Sequence, residues 1–221
     1  WRFDWVVAQT RTDDIVNIQG KGVHTLLSAA KVEMKHGVGS LVDTRTIKIT
    51  ADGKEESVAG KAIIVATGSE PAGIPGVQVD GDRVLTSTEA LKLPEVPRTF
   101  LIIGGGAIGM EFASMLSSLG TQITVVEMLP QVLPMEDPML VRLLQGVLQK
   151  QGVTFHVNAR VEQVEKTPSS VRVQISGGTV LEAERVLMAT GRSLNSKGIG
   201  LEAVGAKVER GAILVNDRME T

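Results

Sequence analysis

The stretch Phe100–Gly109 reads FLIIGGGAIG, four apolar residues followed by glycines at the spacing Gly-x-Gly-x-x-Gly. The apolar run predicts a buried strand, and the residues beyond the glycines have helical periodicity. In such a loop Gly104 allows a tight turn, Gly106 lets the backbone approach a pyrophosphate, and Gly109 permits close helix–strand packing. The motif therefore predicts a phosphate site at the N-terminus of a helix.

The residues after the glycines extend this pattern. Apolar positions recur at helical spacing over Ile108–Leu119, and Ile123–Glu127 predicts a second strand that ends in an acid. Glu127 lies about 20 residues beyond Gly106, which is the spacing of a ribose-binding carboxylate. Because residues 128–131 contain no arginine, NAD is favoured over NADP. The alternative is that Glu127 is a solvated strand end.

Helix and strand patterns then alternate to the end of this half of the chain. We expect a helix opened by Asp137 and Pro138, and a final buried strand at Glu184–Ala189. Between them we expect strands at Val153–Val157, Val161–Lys166, Val171–Ile175 and Val180–Glu182, the last three forming a meander with a Gly177-Gly178 turn. The predicted fold class is α/β, a doubly wound parallel-sheet nucleotide-binding (Rossmann-like) domain with a three-stranded β-meander insertion.

The first part of the chain has weaker patterns. It predicts a helix from Asp4 to about Ala30 with a break at Gly20 and Gly22. The further expectations are strands at Val32–His36, Thr46–Thr50, Glu56–Ala59 and Ala62–Ala66, with a hairpin turn at Asp52-Gly53 and a linker at Leu93–Arg98.

One motif occurs twice. Lys61–Gly68 reads KAIIVATG and Glu184–Gly191 reads ERVLMATG, and each follows a predicted meander. Gly104 precedes the second Ala-Thr-Gly by 85 residues, and the same interval before the first falls ahead of residue 1. We interpret this as a duplicated domain whose first copy lacks its own glycine loop here. Chance similarity of two apolar strands is the alternative.

Composition excludes several classes of function. Lys and Arg number 23 against 25 for Asp and Glu, and no basic stripe predicts a nucleic-acid partner. No apolar run is long enough to predict a membrane span. The sequence has no cysteine, and its three histidines lack ligand spacing, so neither a disulfide nor a metal site is expected in this chain. Glu111 either favours the helix dipole or has a functional role, and the sequence leaves the two evenly balanced.

Six spaced motifs together resemble the pyridine nucleotide–disulfide oxidoreductases, and within that family the dihydrolipoamide dehydrogenases. They are Ile64–Pro71 (IVATGSEP), Val84–Ala90 (VLTSTEA), Ile103–Ser114 (IGGGAIGMEFAS), Val125–Glu127 (VVE), Met188–Arg192 (MATGR) and Asn216–Thr221 (NDRMET). The resemblance implies a homodimeric flavoprotein that passes electrons from dihydrolipoamide through a disulfide and FAD to NAD. It implies a lipoyl-bearing acyltransferase or carrier protein of a 2-oxoacid dehydrogenase complex as partner, and a cytoplasmic or mitochondrial-matrix location.

The resemblance also assigns residues to the two cofactors. The NAD site it implies consists of Gly104, Gly105, Gly106, Ala107, Ile108, Gly109, Glu111, Glu127, Val161 and Gly191, with Glu111 near the nicotinamide. The FAD positions it implies are Gly37, Ala66, Thr67 and Gly68. The domains it implies are residues 1–95 as the C-terminal part of an FAD-binding domain, 96–192 as the NAD-binding domain, and 193–221 as a return segment.

The chain also departs from this family. The Cys-x4-Cys disulfide and the His-x4-Glu acid–base pair are not in the sequence, so we expect no catalytic residue in this chain and no lipoamide oxidation by it alone. The first residue is Trp1, and we expect an internal segment of a longer dehydrogenase. The alternatives are a stand-alone NAD-binding module and a mercuric or glutathione reductase-like relative.

Overall fold

The computed structural model describes residues 3–221 and divides them into two compact units. One consists of residues 3–11 and Pro71–Arg192, and the other of Thr12–Glu70 and Ser193–Thr221. The helices are α1 (Trp5–Ala29), α2 (Ser87–Ala90), α3 (Ala107–Ser118), α4 (Pro138–Lys150) and a 3-10 turn at Glu202–Val204. The strands are β1 (Val38–Leu41), β2 (Thr46–Ala51), β3 (Lys54–Ala59), β4 (Ser69–Pro71), β5 (Val84–Leu85), β6 (Thr99–Ile103), β7 (Gln122–Val126), β8 (Thr154–His156), β9 (Val161–Lys166), β10 (Val171–Ile175), β11 (Val180–Ala183), β12 (Arg185–Met188), β13 (Arg192–Leu194), β14 (Val208–Glu209) and β15 (Ala212–Ile213).

The first unit is built on a five-stranded parallel sheet in the order β5-β12-β6-β7-β8. In the middle of the sheet Ile103 lies opposite Met188 on one side and Val126 on the other. The chain runs outward from β6 to β7 and β8, and then returns to the opposite side of β6 as β12. The predicted doubly wound α/β fold is confirmed, and its strand order reverses between β6 and β12.

Both faces of this sheet are covered. Phe100 and Ile102 point to the face on which α3 and α4 pack, where Leu116 and Leu148 are fully buried. Leu101 and the neighbouring odd positions point to the other face, which the meander β9-β10-β11 covers. Burial on both faces explains why β6 and β12 read as continuous apolar runs instead of alternating patterns.

Local sequence signals determine where α4 begins and where α3 ends. Asp137 Oδ1 accepts hydrogen bonds from the N–H groups of Met139 (2.8 Å) and Leu140 (3.4 Å), and Pro138 occupies the first turn of α4. Helix α3 ends at Ser118, and Gly120 follows with a left-handed φ of +92°. The predicted start of α4 at Asp137 and Pro138 is confirmed, as is the Gly177-Gly178 turn of the meander.

The predicted linker at Leu93–Arg98 was wrong. Leu93 is buried in the core, and the hydroxyl of Thr121 donates a hydrogen bond to the Pro97 carbonyl at 2.8 Å. Upstream of it, β5 pairs with β12. The prolines in this segment therefore shape a packed connection, which lies inside the continuous stretch Pro71–Arg192 of this unit.

The other unit contains the antiparallel sheet β1-β2-β3. Its β2–β3 hairpin turns at Asp52 (φ +49°) and Gly53 (φ +73°), as predicted. Two predicted strands were wrong: Val32–His36 is irregular, and so is Ala62–Ala66, where Ile64 is 91% exposed. An apolar run forms a strand only beside hydrogen-bonding neighbours, and the described part of the chain supplies none next to these residues.

Helix α1 is continuous over 25 residues, so the predicted break at Gly20 and Gly22 was wrong. The Asp4 carboxylate accepts a hydrogen bond from the Val7 N–H at 3.1 Å and so caps the helix, which confirms its predicted start at Asp4. A mid-helix glycine costs about 1 kcal/mol relative to alanine, which a helix of this length tolerates. None of the helices described in residues 3–221 has the length and apolar character of a membrane-spanning helix.

Candidate functional site

The glycine loop connects β6 to α3 in a conformation that only glycine permits at two positions. Gly104 has φ +107°, and a Cβ there would collide with the carbonyl oxygen of Ala189 at the end of β12. A Cβ on Gly109 would collide with the carbonyl oxygen of Gly104 and lie 3.1 Å from Ile102 Cγ2. The loop is therefore held tightly against the carboxyl ends of β6 and β12.

Gly106 differs from these two glycines because it faces open space. No atom lies within 4 Å of a Cβ built on it. It is the N-cap of α3 and makes no side-chain cap, so the first N–H groups of that helix have no intrahelical acceptor. These N–H groups and the positive end of the helix dipole are suited to an anion.

The backbone of Gly105 is fully engaged within the protein. Its N–H donates to Glu127 Oε2 at 2.6 Å, and its carbonyl accepts from the Leu133 N–H at 2.7 Å. A Cβ on Gly105 would lie 2.5 Å from Val132 Cγ1. This second glycine therefore anchors the loop to the segment after β7, and the free amides begin at Gly106.

Glu127 directly follows β7, and only 9% of it is exposed. Its Oε1 accepts from the Leu129 N–H at 2.8 Å, while Oε2 takes the Gly105 N–H. Its own N–H donates to the His156 carbonyl at 2.8 Å. This burial excludes a solvated strand end. Each carboxylate oxygen still has a lone pair that can accept a hydrogen bond from a hydroxyl group of a ligand.

A cavity of 430 Å³ lies at the carboxyl ends of β6, β7 and β12, where the strand order reverses. It brings together five of the residues predicted from the sequence, namely Gly104, Gly106, Glu127, Val161 and Gly191. Most of the remaining lining is apolar and includes Met128, Leu129 and Pro134. A mainly apolar cleft with a few convergent polar groups is the usual form of a cofactor site.

The other predicted residues lie elsewhere. Gly105, Ala107, Ile108 and Gly109 form the loop and the first turn of α3 beside the cavity, whereas Glu111 is exposed on α3 and does not line it. Gly37, Ala66, Thr67 and Gly68 belong to the other unit. There the Asn195 N–H donates to the Gly68 carbonyl at 3.1 Å, and its side-chain amide donates to the Thr67 carbonyl at 3.2 Å.

Ten residues that line the cavity were not predicted as site residues from the sequence, and three of them are Thr190, Arg160 and Ile74. Thr190 lies in the repeated Ala-Thr-Gly motif, and its hydroxyl donates to the Ala72 carbonyl at 3.0 Å. Arg160 immediately precedes Val161, and this adjacency was the signal that could have identified it. Ile74 lies in an irregular segment between prolines and had no usable pattern.

A parallel sheet with a glycine-rich turn, a helix N-terminus and a carboxylate at the next strand end defines a Rossmann-like dinucleotide-binding fold. The sequence pattern of the family described as "Pyridine nucleotide-disulphide oxidoreductase" matches residues 4–221. The chain belongs to this family.

Individual relatives agree with the family. The chain is 41% identical over 209 residues to a dihydrolipoamide dehydrogenase of Chaetomium thermophilum, covering 91% of this chain and 42% of that protein. It is 37% identical over 224 residues to a dihydrolipoyl dehydrogenase of Chlorobaculum tepidum, covering 99% and 48%. The chain thus spans about half the length of the curated relatives it matches.

Two solved structures are similar to this chain over nearly its whole length. LpdA from Mycobacterium tuberculosis superimposes with a TM-score of 0.91 at 31% identity, over 99% of this chain and 49% of that one. The HOCl-induced flavoprotein disulfide reductase RclA from Escherichia coli superimposes with a TM-score of 0.89 at 29% identity, over 99% and 50%.

Proposed function

We propose that the cavity between β6, β7 and β12 binds NAD. The observation that carries the proposal is the convergence of Gly104, Gly106, Glu127, Val161 and Gly191 on one cleft at the switch point of the sheet. The pyrophosphate lies on the free amides that begin at Gly106, because Gly105 has none to offer. NAD bound there supplies a hydride acceptor.

In this proposal, residues on different sides of the cleft contact different parts of NAD. The Glu127 carboxylate accepts hydrogen bonds from the adenosine ribose and repels a 2′-phosphate. Val161 flanks the adenine, and Gly191 flanks the nicotinamide end. Glu111 is exposed beyond the cavity, and its approach to the nicotinamide stays a prediction.

The fit is tested by placing a methyl group where the pyrophosphate would lie. Gly106 has φ −73°, and a methyl group at this position would meet no neighbouring atom, so Gly106→Ala should fold normally. Gly146→Ala on α4 is the matched control, because that glycine is equally open and does not line the cavity. Calorimetric titration with NAD should show at least about tenfold weaker binding for Gly106→Ala, a change of about 1.4 kcal/mol. Equal NAD affinity of the two variants would show that the pyrophosphate does not lie against Gly106.

We further propose that the chain is the NAD-binding portion of a flavoprotein that oxidises dihydrolipoamide with NAD as acceptor. The family match, the dihydrolipoyl dehydrogenase relatives and the half-length coverage support this. Since the sequence contains no cysteine, the redox disulfide lies outside it, and this chain holds no catalytic residue. Gly37, Ala66, Thr67 and Gly68 are proposed flavin contacts in the unit Thr12–Glu70. The proposed assembly is a homodimer, with a lipoyl-bearing acyltransferase or carrier protein as partner, in the cytoplasm or mitochondrial matrix.

Two alternatives make different predictions. A stand-alone NAD-binding module binds NAD and has no use for flavin, and a mercuric or glutathione reductase-like relative prefers NADPH. Flavin retained by the purified full-length protein at one flavin per chain, measured from its visible absorbance, would reject the stand-alone module. A preference for NADPH in its reductase assay would reject the NAD-dependent dehydrogenase.

A further inference from the structure

Two charged residues line the cavity among the described residues, and they have opposite signs. Glu127 follows β7, and Arg160 lies between β8 and β9. They lie at the same end of the cleft, because the N–H of Ala159 donates to the Glu127 carbonyl at 3.0 Å. The residue next to Arg160 is therefore bonded to the residue proposed to contact the adenosine ribose.

The backbone of Arg160 is fixed from two directions. On one side the Asn158 N–H donates to the Leu129 carbonyl at 3.0 Å, with Asn158 in a left-handed conformation at φ +52°. On the other side the Arg160 N–H donates to Ser176 Oγ at 3.1 Å, and the Ser176 N–H returns a bond to the Arg160 carbonyl at 2.8 Å. The backbone of Arg160 is therefore held in a defined position beside the end of β7, and its side chain extends from there.

The guanidinium of Arg160 has no ion-pair partner within residues 3–221. Other arginines of this unit do: Arg98 pairs with Glu184 at 2.7 Å, and Arg172 pairs with Glu182 at 3.4 Å. The other charged side chain that lines the cavity, the carboxylate of Glu127, already accepts hydrogen bonds from two backbone N–H groups. A solvent-exposed positive charge on the cavity wall is thus free to meet a ligand.

We propose that Arg160 is a second specificity-determining residue of this cavity, attracting a phosphate on the adenosine ribose and partly offsetting Glu127. The inference rests on the proposed function, since it assumes that the dinucleotide lies in this cleft. A guanidinium forms strong charge-assisted hydrogen bonds with phosphate oxygens. The site accordingly accepts NADP as a weaker second ligand, instead of excluding it as Glu127 acting alone would.

The test compares NAD and NADP binding to the whole chain before and after removal of this charge. Arg160→Gln is matched by Arg142→Gln, because Arg142 is also exposed and without an ion pair among the described residues but lies on α4 away from the cavity. Both titrations are run at low and at high salt, and thermal unfolding checks that both variants fold.

We expect Arg160→Gln to weaken NADP binding about five- to tenfold while NAD binding changes less than about twofold. High salt should shrink the difference, because an exposed charge is screened, and Arg142→Gln should change neither ligand. Equal losses for NAD and NADP would show that Arg160 stacks on the adenine, and unchanged affinity for both ligands would show that it faces solvent; either result overturns this inference alone. Absence of NAD binding by the unmodified chain would overturn the proposed function as well.

Discussion

The Gly105 N–H donates a hydrogen bond of 2.6 Å to Glu127 Oε2, joining the glycine loop after β6 to the end of β7. The carboxylate proposed to contact the ribose is therefore also the group that holds the phosphate loop in place. If the proposed function is correct, ligand recognition and loop geometry depend on this one buried side chain. A substitution at Glu127 should change both.

Glu127→Gln tests this double role. The glutamine amide keeps one acceptor oxygen but turns an NH2 group toward one of the two backbone N–H donors, leaving that donor unpaired. We expect a loss of about 1–3 kcal/mol in the free energy of unfolding, measured by urea denaturation, together with about tenfold weaker NAD binding. Glu136→Gln is the control, since its carboxylate is exposed on the same segment. Unchanged stability in Glu127→Gln would show that the bond to Gly105 contributes nothing.

The structure also explains why a charge reversal at Glu127 is a poor specificity test. Arginine at this position would leave the N–H groups of Gly105 and Leu129 without acceptors and would bury a larger cation. Any shift from NAD toward NADP would then be mixed with a loss of loop structure. The isosteric Gln variant disturbs the loop less, because it keeps an acceptor for one of the two N–H groups and buries no cation.

The glycine loop provides a second prediction, which separates backbone strain from collision. Gly104 and Gly120 both have left-handed φ, +107° and +92°, but only at Gly104 would a Cβ meet another atom, the Ala189 carbonyl oxygen. Gly120→Ala should therefore cost about 1–2 kcal/mol, the cost of a left-handed L-residue. Gly104→Ala should cost several times more, or prevent folding of the unit, in thermal unfolding followed by circular dichroism. Similar costs at the two positions would mean that the loop can move away from β12.

Asp80 gives a prediction about pH. Burial raises the pKa of Asp80, but the hydrogen bond from Lys166 and those from the N–H groups of Val84, Asp82 and Arg83 outweigh burial and hold the pKa well below its usual range. A carboxyl whose pKa is lowered on folding stabilises the protein above its unfolded pKa of about 3.9, and this contribution is lost as the pH falls.

Asp80→Asn should therefore lower the free energy of unfolding by about 1–3 kcal/mol at neutral pH, because hydrogen bonds to a charged group become bonds to a neutral one. The difference from the unmodified chain should shrink as the pH falls below about 4. Asp13→Asn, an exposed change on α1, should show neither effect. A difference that stays constant down to acid pH would mean that the charge of Asp80 is not what stabilises this loop.

Patterns of apolar periodicity predicted the first unit well, because its strands β6, β7 and β12 are buried on both faces by elements close in sequence. The same reasoning failed at Ala62–Ala66, since an apolar run does not reveal whether neighbouring strands are available. It also failed at Gly20 and Gly22, where the cost of a helical glycine is small compared with the stability of the surrounding turns. Apolar periodicity indicates which face of a helix or strand is buried, but it does not show which strands pair with each other.

The site was predictable in kind but incomplete in detail. The spacing of Gly104, Gly106 and Glu127 identified residues that do line one cavity. It gave no indication that Gly105 uses its N–H and its carbonyl within the protein, or that Arg160 reaches the same cavity. Both facts depend on contacts between residues more than 20 positions apart, which no local motif encodes.

The most direct test of the central claim is a residue-resolved NMR titration of the chain with NAD. We predict saturable shifts of the amide signals of Gly106, Ala107, Ile108, Val161 and Gly191, with no comparable change at Gly37 or at residues 66–68. Absence of saturable shifts, or shifts confined to residues outside the cavity between β6, β7 and β12, would contradict it.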